Sequence, residues 1–126
     1  MRPVTILISI FMLCATLANS GCTRRPRGAA DEYARRLRHM VGSPVGPLEL
    51  QSIEPEGNML VFTFDGPKGW RAGTPSYSIT AFFLEGFCRS SEGSGYLAAG
   101  RTLRVDTFES GESLIRGTPV TRCPHP

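Results

Sequence analysis

Met59-Leu60-Val61-Phe62-Thr63-Phe64-Asp65 is the stretch around which the rest of this chain organises itself. Its residues alternate. Leu60, Phe62 and Phe64 fall on one side of an extended strand, and Met59, Val61 and Thr63 fall on the other. Just before it, Pro55-Glu56-Gly57-Asn58 has the composition of a turn. Before that turn, Leu48 to Ile53 is a second candidate strand, with Leu48 and Leu50 on one face. The two segments predict a β-hairpin.

Toward the N-terminus, Ser43-Pro44-Val45-Gly46-Pro47 is expected to be a stiff connector. Ala30 to Val41 predicts a helix. Asp31 and Glu32 stand in its first turn, where negative charge suits the helix dipole. Tyr33, Leu37 and Met40 recur at helical spacing and form an apolar face, and Arg35, Arg36 and Arg38 cover the remainder. Gly42 is well placed to end it.

Toward the C-terminus, Gly66 to Thr74 is glycine-rich and predicts a loop. It carries Trp70, the single tryptophan. Trp70 is expected to fold back on the edge of the core; exposed, it would be an anchor for a partner. Pro75 to Arg89 reads two ways. Tyr77, Ile79, Ala81 and Phe83 alternate as in a strand, but the run exceeds strand length. A helix capped by Thr74, with Ile79, Phe82, Phe83 and Phe87 in one stripe, is expected. Tyr96 to Ala99 adds a helical turn ended by Gly100. Thr102 to Phe108 is a strand, Glu109-Ser110-Gly111-Glu112 a hairpin turn, and Ser113 to Arg122 a returning strand. Gly117 and Pro119 mark a bulge or an edge in that last strand. The order helix, hairpin, helix, hairpin predicts an α+β fold: an antiparallel sheet of two hairpins covered on one face by helices.

The chain has 126 residues and is 40% hydrophobic, which suits one domain with one core. Its formal charge is +3, but Arg24, Arg25, Arg27, Arg35, Arg36 and Arg38 supply six of the 14 basic residues. From Tyr33 onward there are ten basic and nine acidic residues. A nucleic-acid-binding domain would carry its basic stripe on the folded body, so that class is excluded.

Met1 and Arg2 are followed by an apolar run of 14 residues, Val4 to Leu17. As a helix it would span only about 21 Å, too short for a bilayer core of ~30 Å and suited to a signal peptide. Residues 1–21 therefore form the expected leader, 22–29 a tether and 30–126 a single domain. Two processing readings stand. Ser20-Gly21-Cys22 resembles the end of a lipobox, with Cys22 lipidated, although Asn19 stands where leucine is usual. Cleavage after Ser20 is the other. Thr23, in place of aspartate after the lipidated position, favours outer-membrane sorting. The tether's arginines would also draw the body toward anionic headgroups.

Cys14 leaves with the leader. With Cys22 lipidated, Cys88 and Cys123 remain as an even pair in an oxidising compartment, and they read as a structural disulfide. No catalytic constellation is visible. His39 and His125 have no sequence-adjacent carboxylate, Gly66-Pro67-Lys68-Gly69 lacks P-loop spacing, and Cys88, Cys123 and His125 form no set of metal ligands. No enzyme, metal or cofactor is expected.

The order of a lipidated cysteine, a short helix, Gly46-Pro47-Leu48 leading into a strand, a strand after Gly57-Asn58, a Phe-rich helix ending in Cys88 and a final hairpin ending in Cys123 resembles the AspS/YacC-type pilotins of type II secretion systems. The resemblance runs from about residue 35 to 123. It implies an outer-membrane lipoprotein tied by Cys88–Cys123. Such a protein binds the C-terminal segment of a secretin subunit in a hydrophobic groove, follows the lipoprotein sorting machinery and promotes secretin assembly. Tyr33, Leu37, Met40, Ile79, Phe82 and Phe83 are the candidate partner-binding residues, and Arg35, Arg36 and Arg38 would meet acidic groups of the partner. The competing reading is a periplasmic lipoprotein acting as an inhibitor, immunity or exclusion factor.

Overall fold

A computed structural model describes residues 28–124. The expected leader, the lipidation at Cys22, most of the tether and His125 lie outside the described residues. Helix α1 (Ala29–Leu37) opens the fold and runs into a 3-10 turn, Arg38–Met40. The backbone N–H of Gly28 donates to Asp31 Oδ2 at 2.9 Å, which fixes the first turn. Ala30, Ala34 and Leu37 face inward.

Strand β1 (Pro44–Val45) pairs antiparallel with β2 (Leu48–Glu56). The expected connector is thus a miniature hairpin, with Gly46 and Pro47 as its turn. Strand β2 pairs antiparallel with β3 (Met59–Gly66), with a bulge between Leu50 and Ser52. The ladder continues through Pro55 and Glu56, so the turn shortens to Gly57-Asn58, with Gly57 at φ 63° where other residues are strained. This is the hairpin that the alternation predicts.

The chain then crosses back over the sheet. A short helix α2 (Trp70–Gly73) leads to α3 (Ser76–Arg89) and α4 (Ser91–Ala98). Helix α3 follows the expected span, with Pro75 rather than Thr74 at the cap position. Ser90-Ser91-Glu92-Gly93 is a helix start: Ser90 Oγ accepts from Gly93 N–H at 2.9 Å, and α4 grows from it. Ser90 Oγ also donates to Phe87 O at 2.8 Å, joining the two helices at a sharp corner.

Strand β4 (Thr102–Glu109) pairs with β3 in parallel, Met59 opposite Thr102 and Gly66 opposite Glu109. The sheet order is β1-β2-β3-β4. The fold is α+β, as expected, but its two halves are not two matching hairpins. The helical crossover carries the chain back to the start of β3, and a strand that begins there must run in the same direction. The returning segment after β4 touches it antiparallel at two isolated bridges, Leu103–Val120 and Thr107–Ile115. The extra residue between those bridges falls around Gly117, whose Cβ, were there one, would lie 2.2 Å from Val105 O.

Leu50, Leu60, Phe62, Phe64, Leu103 and Val105 form the inner face of the sheet and are covered by the helices. Phe83 packs at 4.5 Å from Phe62 and 5.5 Å from Phe64, and Phe87 links them to Tyr96. Trp70 is buried, with Nε1 donating to Phe108 O at 2.8 Å; it belongs to the core edge and is not an exposed anchor. Cys88 and Cys123 form the disulfide, joining the end of α3 to the C-terminal segment. Among the described residues, no helix is long and apolar enough to cross a membrane.

Candidate partner-binding groove

The C-terminal segment, residues 113–124, runs beside β4 without merging into the sheet. Gly117 and Pro119 interrupt it between the two bridges, so it stands as a wall opposite helix α3. Between them lies a cleft of about 360 Å³, with Thr80, Ala81 and Leu84 on one side and Ile115, Pro119 and Val120 on the other. A second hollow of about 760 Å³ adjoins it along Ala81 and Leu84 and reaches Cys88, Cys123 and Pro124. Together they make one groove along α3.

Helical spacing explains the character of its wall. Thr80, Leu84 and Cys88 form one row at i, i+4, i+8, and Ala81, Glu85 and Arg89 form the next. The first row is largely apolar. The second ends in the exposed Glu85–Arg89 ion pair, which makes a polar rim. Ile115 is 42% exposed at the opposite lip, and Phe82 is 61% exposed one step further round the helix. An apolar floor with a charged rim is suited to holding an amphipathic segment; it offers no acid–base pair for chemistry.

This C-terminal strap, residues 113–124, is tied to β4 by an ionic network. Asp106 is buried and accepts from Arg104 Nε at 2.7 Å, Arg104 Nη2 at 2.8 Å and the Gly117 backbone N–H at 3.1 Å. Glu56 Oε2 meets Arg104 at 3.2 Å. The Asp106 hydrogen bonds push the Arg104 guanidinium further up from its ordinary value, so it is a fixed cation. Arg71 adds a tie between β4 and the strap: its Nη2 donates to Thr107 O at 2.6 Å and its Nη1 to Ser113 O at 3.4 Å.

The residues singled out by sequence divide. Leu37, Ile79 and Phe83 are buried in the core, because apolar residues at helical spacing mark the face turned to the sheet. Met40 is partly buried against the same core. Tyr33 packs edge-on to Tyr96 at 4.8 Å, with Arg101 at 5.6 Å over its ring. Burial pushes the Tyr96 phenol up, and Arg101 opposes part of that. Phe82 alone of this set is strongly exposed. Helix α1 packs on β2 and β3, while α3 lies toward β4, so the two helices do not share one groove. Thr80, Ala81, Leu84 and Ile115 were not singled out. The Gly117 and Pro119 breaks mark the segment that carries Ile115; no sequence signal marks Thr80, Ala81 or Leu84.

No family model matches the chain, and no curated protein matches it by sequence. Solved structures do. A pilotin of the type II secretion system of Vibrio vulnificus, EpsS, superposes with a TM-score of 0.62 at 20% identity, covering 73% of this chain and 84% of that one. This is the pilotin fold. The type II secretion pilotin AspS of Vibrio cholerae superposes with a TM-score of 0.61 at 17% identity, over 74% of this chain and 85% of that one. A secreted protein of Pseudomonas aeruginosa superposes on this chain with a TM-score of 0.54 at 19% identity, over 69% of this chain and 83% of that one.

Proposed function

We propose that this chain is a lipoprotein pilotin of a type II secretion system. It is exported, carries lipid on Cys22, and holds an amphipathic C-terminal segment of a secretin subunit in the groove between α3 and the strap. The lipoprotein sorting machinery then takes both to the outer membrane, where the secretin assembles. It acts by binding and not by catalysis. The observation that carries this reading is an open, apolar, charge-rimmed groove on a fold shared with two type II pilotins. On this reading the contact residues are Ala81, Leu84, Ile115 and Val120, which line the groove, with the exposed Phe82 on the next row of α3.

The test is capture from detergent-solubilised envelopes, followed by mass spectrometry. Recovery of a secretin subunit, lost in Ala81→Arg while the oxidised fold persists, is the expected result. Recovery of a hydrolase or toxin with no secretin would sink the proposal. Incorporation of labelled palmitate, lost in Cys22→Ala together with outer-membrane fractionation, tests the anchor separately.

A further inference from the structure

Charge is divided between two faces of this molecule. The outward side of α1 and its 3-10 turn presents Arg35 and Arg38, both exposed and, among the described residues, without an ion-pair partner. Arg36 is exposed too, but Glu32 and Glu92 hold it. His39 lies beside them, its Nδ1 2.8 Å from Arg36 O. Arg101 lies over the Tyr33 ring, on the flank of α1 that packs against Tyr96. Arg24, Arg25 and Arg27 precede the helix, and no acidic residue stands before Asp31.

The outer face of the sheet is the reverse. Glu49 and Asp65 stand directly opposite each other across β2 and β3, a like-charge pair that disfavours the ladder. Glu54 and Glu56 share that face. Glu56 is paired with the buried Arg104, which also binds Asp106, and Glu49, Glu54 and Asp65 have no ion-pair partner among the described residues. From Met40 onward there are seven basic and nine acidic residues. Helix α1 packs on the inner face of the sheet, so the arginines and these carboxylates point in opposite directions.

We infer that the outward side of α1, centred on Arg35 and Arg38, is a contact surface for an anionic lipid membrane. The inference rests on the reading that Cys22 is held at a membrane. From Cys22 to Gly28 an extended chain reaches at most about 20 Å, so α1 starts close to the headgroups. At that distance the two faces respond oppositely to a negative surface, and the molecule turns its arginines toward the lipid and its carboxylates away. The groove lies at the β4 edge, away from α1, and is left open to the aqueous side.

Flotation with lipid vesicles tests this. The chain from residue 22 onward with Cys22→Ser keeps every described element and lacks only the anchor. It is expected to float with vesicles of phosphatidylcholine and phosphatidylglycerol, to ignore phosphatidylcholine alone, and to be released by high salt. Arg35→Gln with Arg38→Gln should weaken partition, each by about fivefold. Arg35→Lys with Arg38→Lys should restore it, which separates charge from folding. Partition unchanged in the Gln pair would overturn the inference, as would equal binding to neutral vesicles. Binding to polyglutamate without binding to any vesicle would also overturn it and point to an acidic protein instead. No secretin enters the assay, so its failure is distinct from failure of the pilotin reading.

Discussion

The aromatic core and the C-terminal strap are held in place by different physics. In the core, Phe62, Phe64, Phe83, Phe87 and Tyr96 touch ring to ring, and each is locked by several neighbours. The strap has no such packing. It depends on two bridges, one carboxylate, a long arginine contact at Ser113, one disulfide and the edge packing of Val120 and Cys123. Dense packing is redundant and discrete ties are not. The core therefore decides whether the chain folds, while the strap decides whether the groove has a second wall.

The largest effect should come from the core. Phe62→Ala removes a fully buried ring from the centre of the cluster and is expected to cost about 3–5 kcal/mol. Denaturant unfolding of the oxidised protein measures it, and a loss below about 1 kcal/mol would mean that the cluster can collapse around the gap.

Next is the staple. Cys88→Ser with Cys123→Ser opens a loop with a sequence separation of 35. The chain-entropy model gives roughly 3–4 kcal/mol for a loop of that size. The contrast predicts more than a stability loss. Helical and sheet signals of the surviving folded fraction should persist, while capture of the partner segment disappears. Retained capture would show that the bridges and Asp106 suffice to hold the wall.

Gly117→Ala is a gentler blow to the same wall. Its Cβ would press on Val105 O, so the strap must shift, at an expected cost of about 1–3 kcal/mol. Hydrogen exchange should accelerate first at the Ile115 and Val120 amides, which form the two bridges to β4. Uniform acceleration across β3 as well would mean that the two regions are one cooperative unit.

The same contrast explains what could be read from the sequence. The β2–β3 hairpin was legible because Leu60, Phe62 and Phe64 repeat with period two. Helix α3 was legible from its phenylalanine stripe, and Cys88–Cys123 from the parity of the cysteines. The parallel pairing of β3 with β4 was not, because it is set by where a crossover of more than thirty residues returns, and no local pattern records that. The breaks at Gly117 and Pro119 were visible, but whether a broken strand closes against its neighbour or stands off from it depends on α3. Partner residues were hardest. Leu37, Ile79 and Phe83 look adhesive because the core uses them, whereas Thr80 and Ala81, which line the groove, look like ordinary helix surface.

Phe82 is the residue on which that distinction turns. It belongs to the same stripe as Phe83, yet it is 61% exposed while Phe83 is 8% exposed. Phe82→Ser should leave stability within about 0.5 kcal/mol, because most of the ring already faces solvent. An exposed aromatic on the helix that walls the groove is a side chain from which a partner that wraps past the Glu85–Arg89 rim gains on burial. Capture of the partner segment should therefore fall by tenfold or more in Phe82→Ser with the unfolding midpoint unchanged. Unchanged capture would remove Phe82 from the interface and confine it to Ala81, Leu84 and the strap.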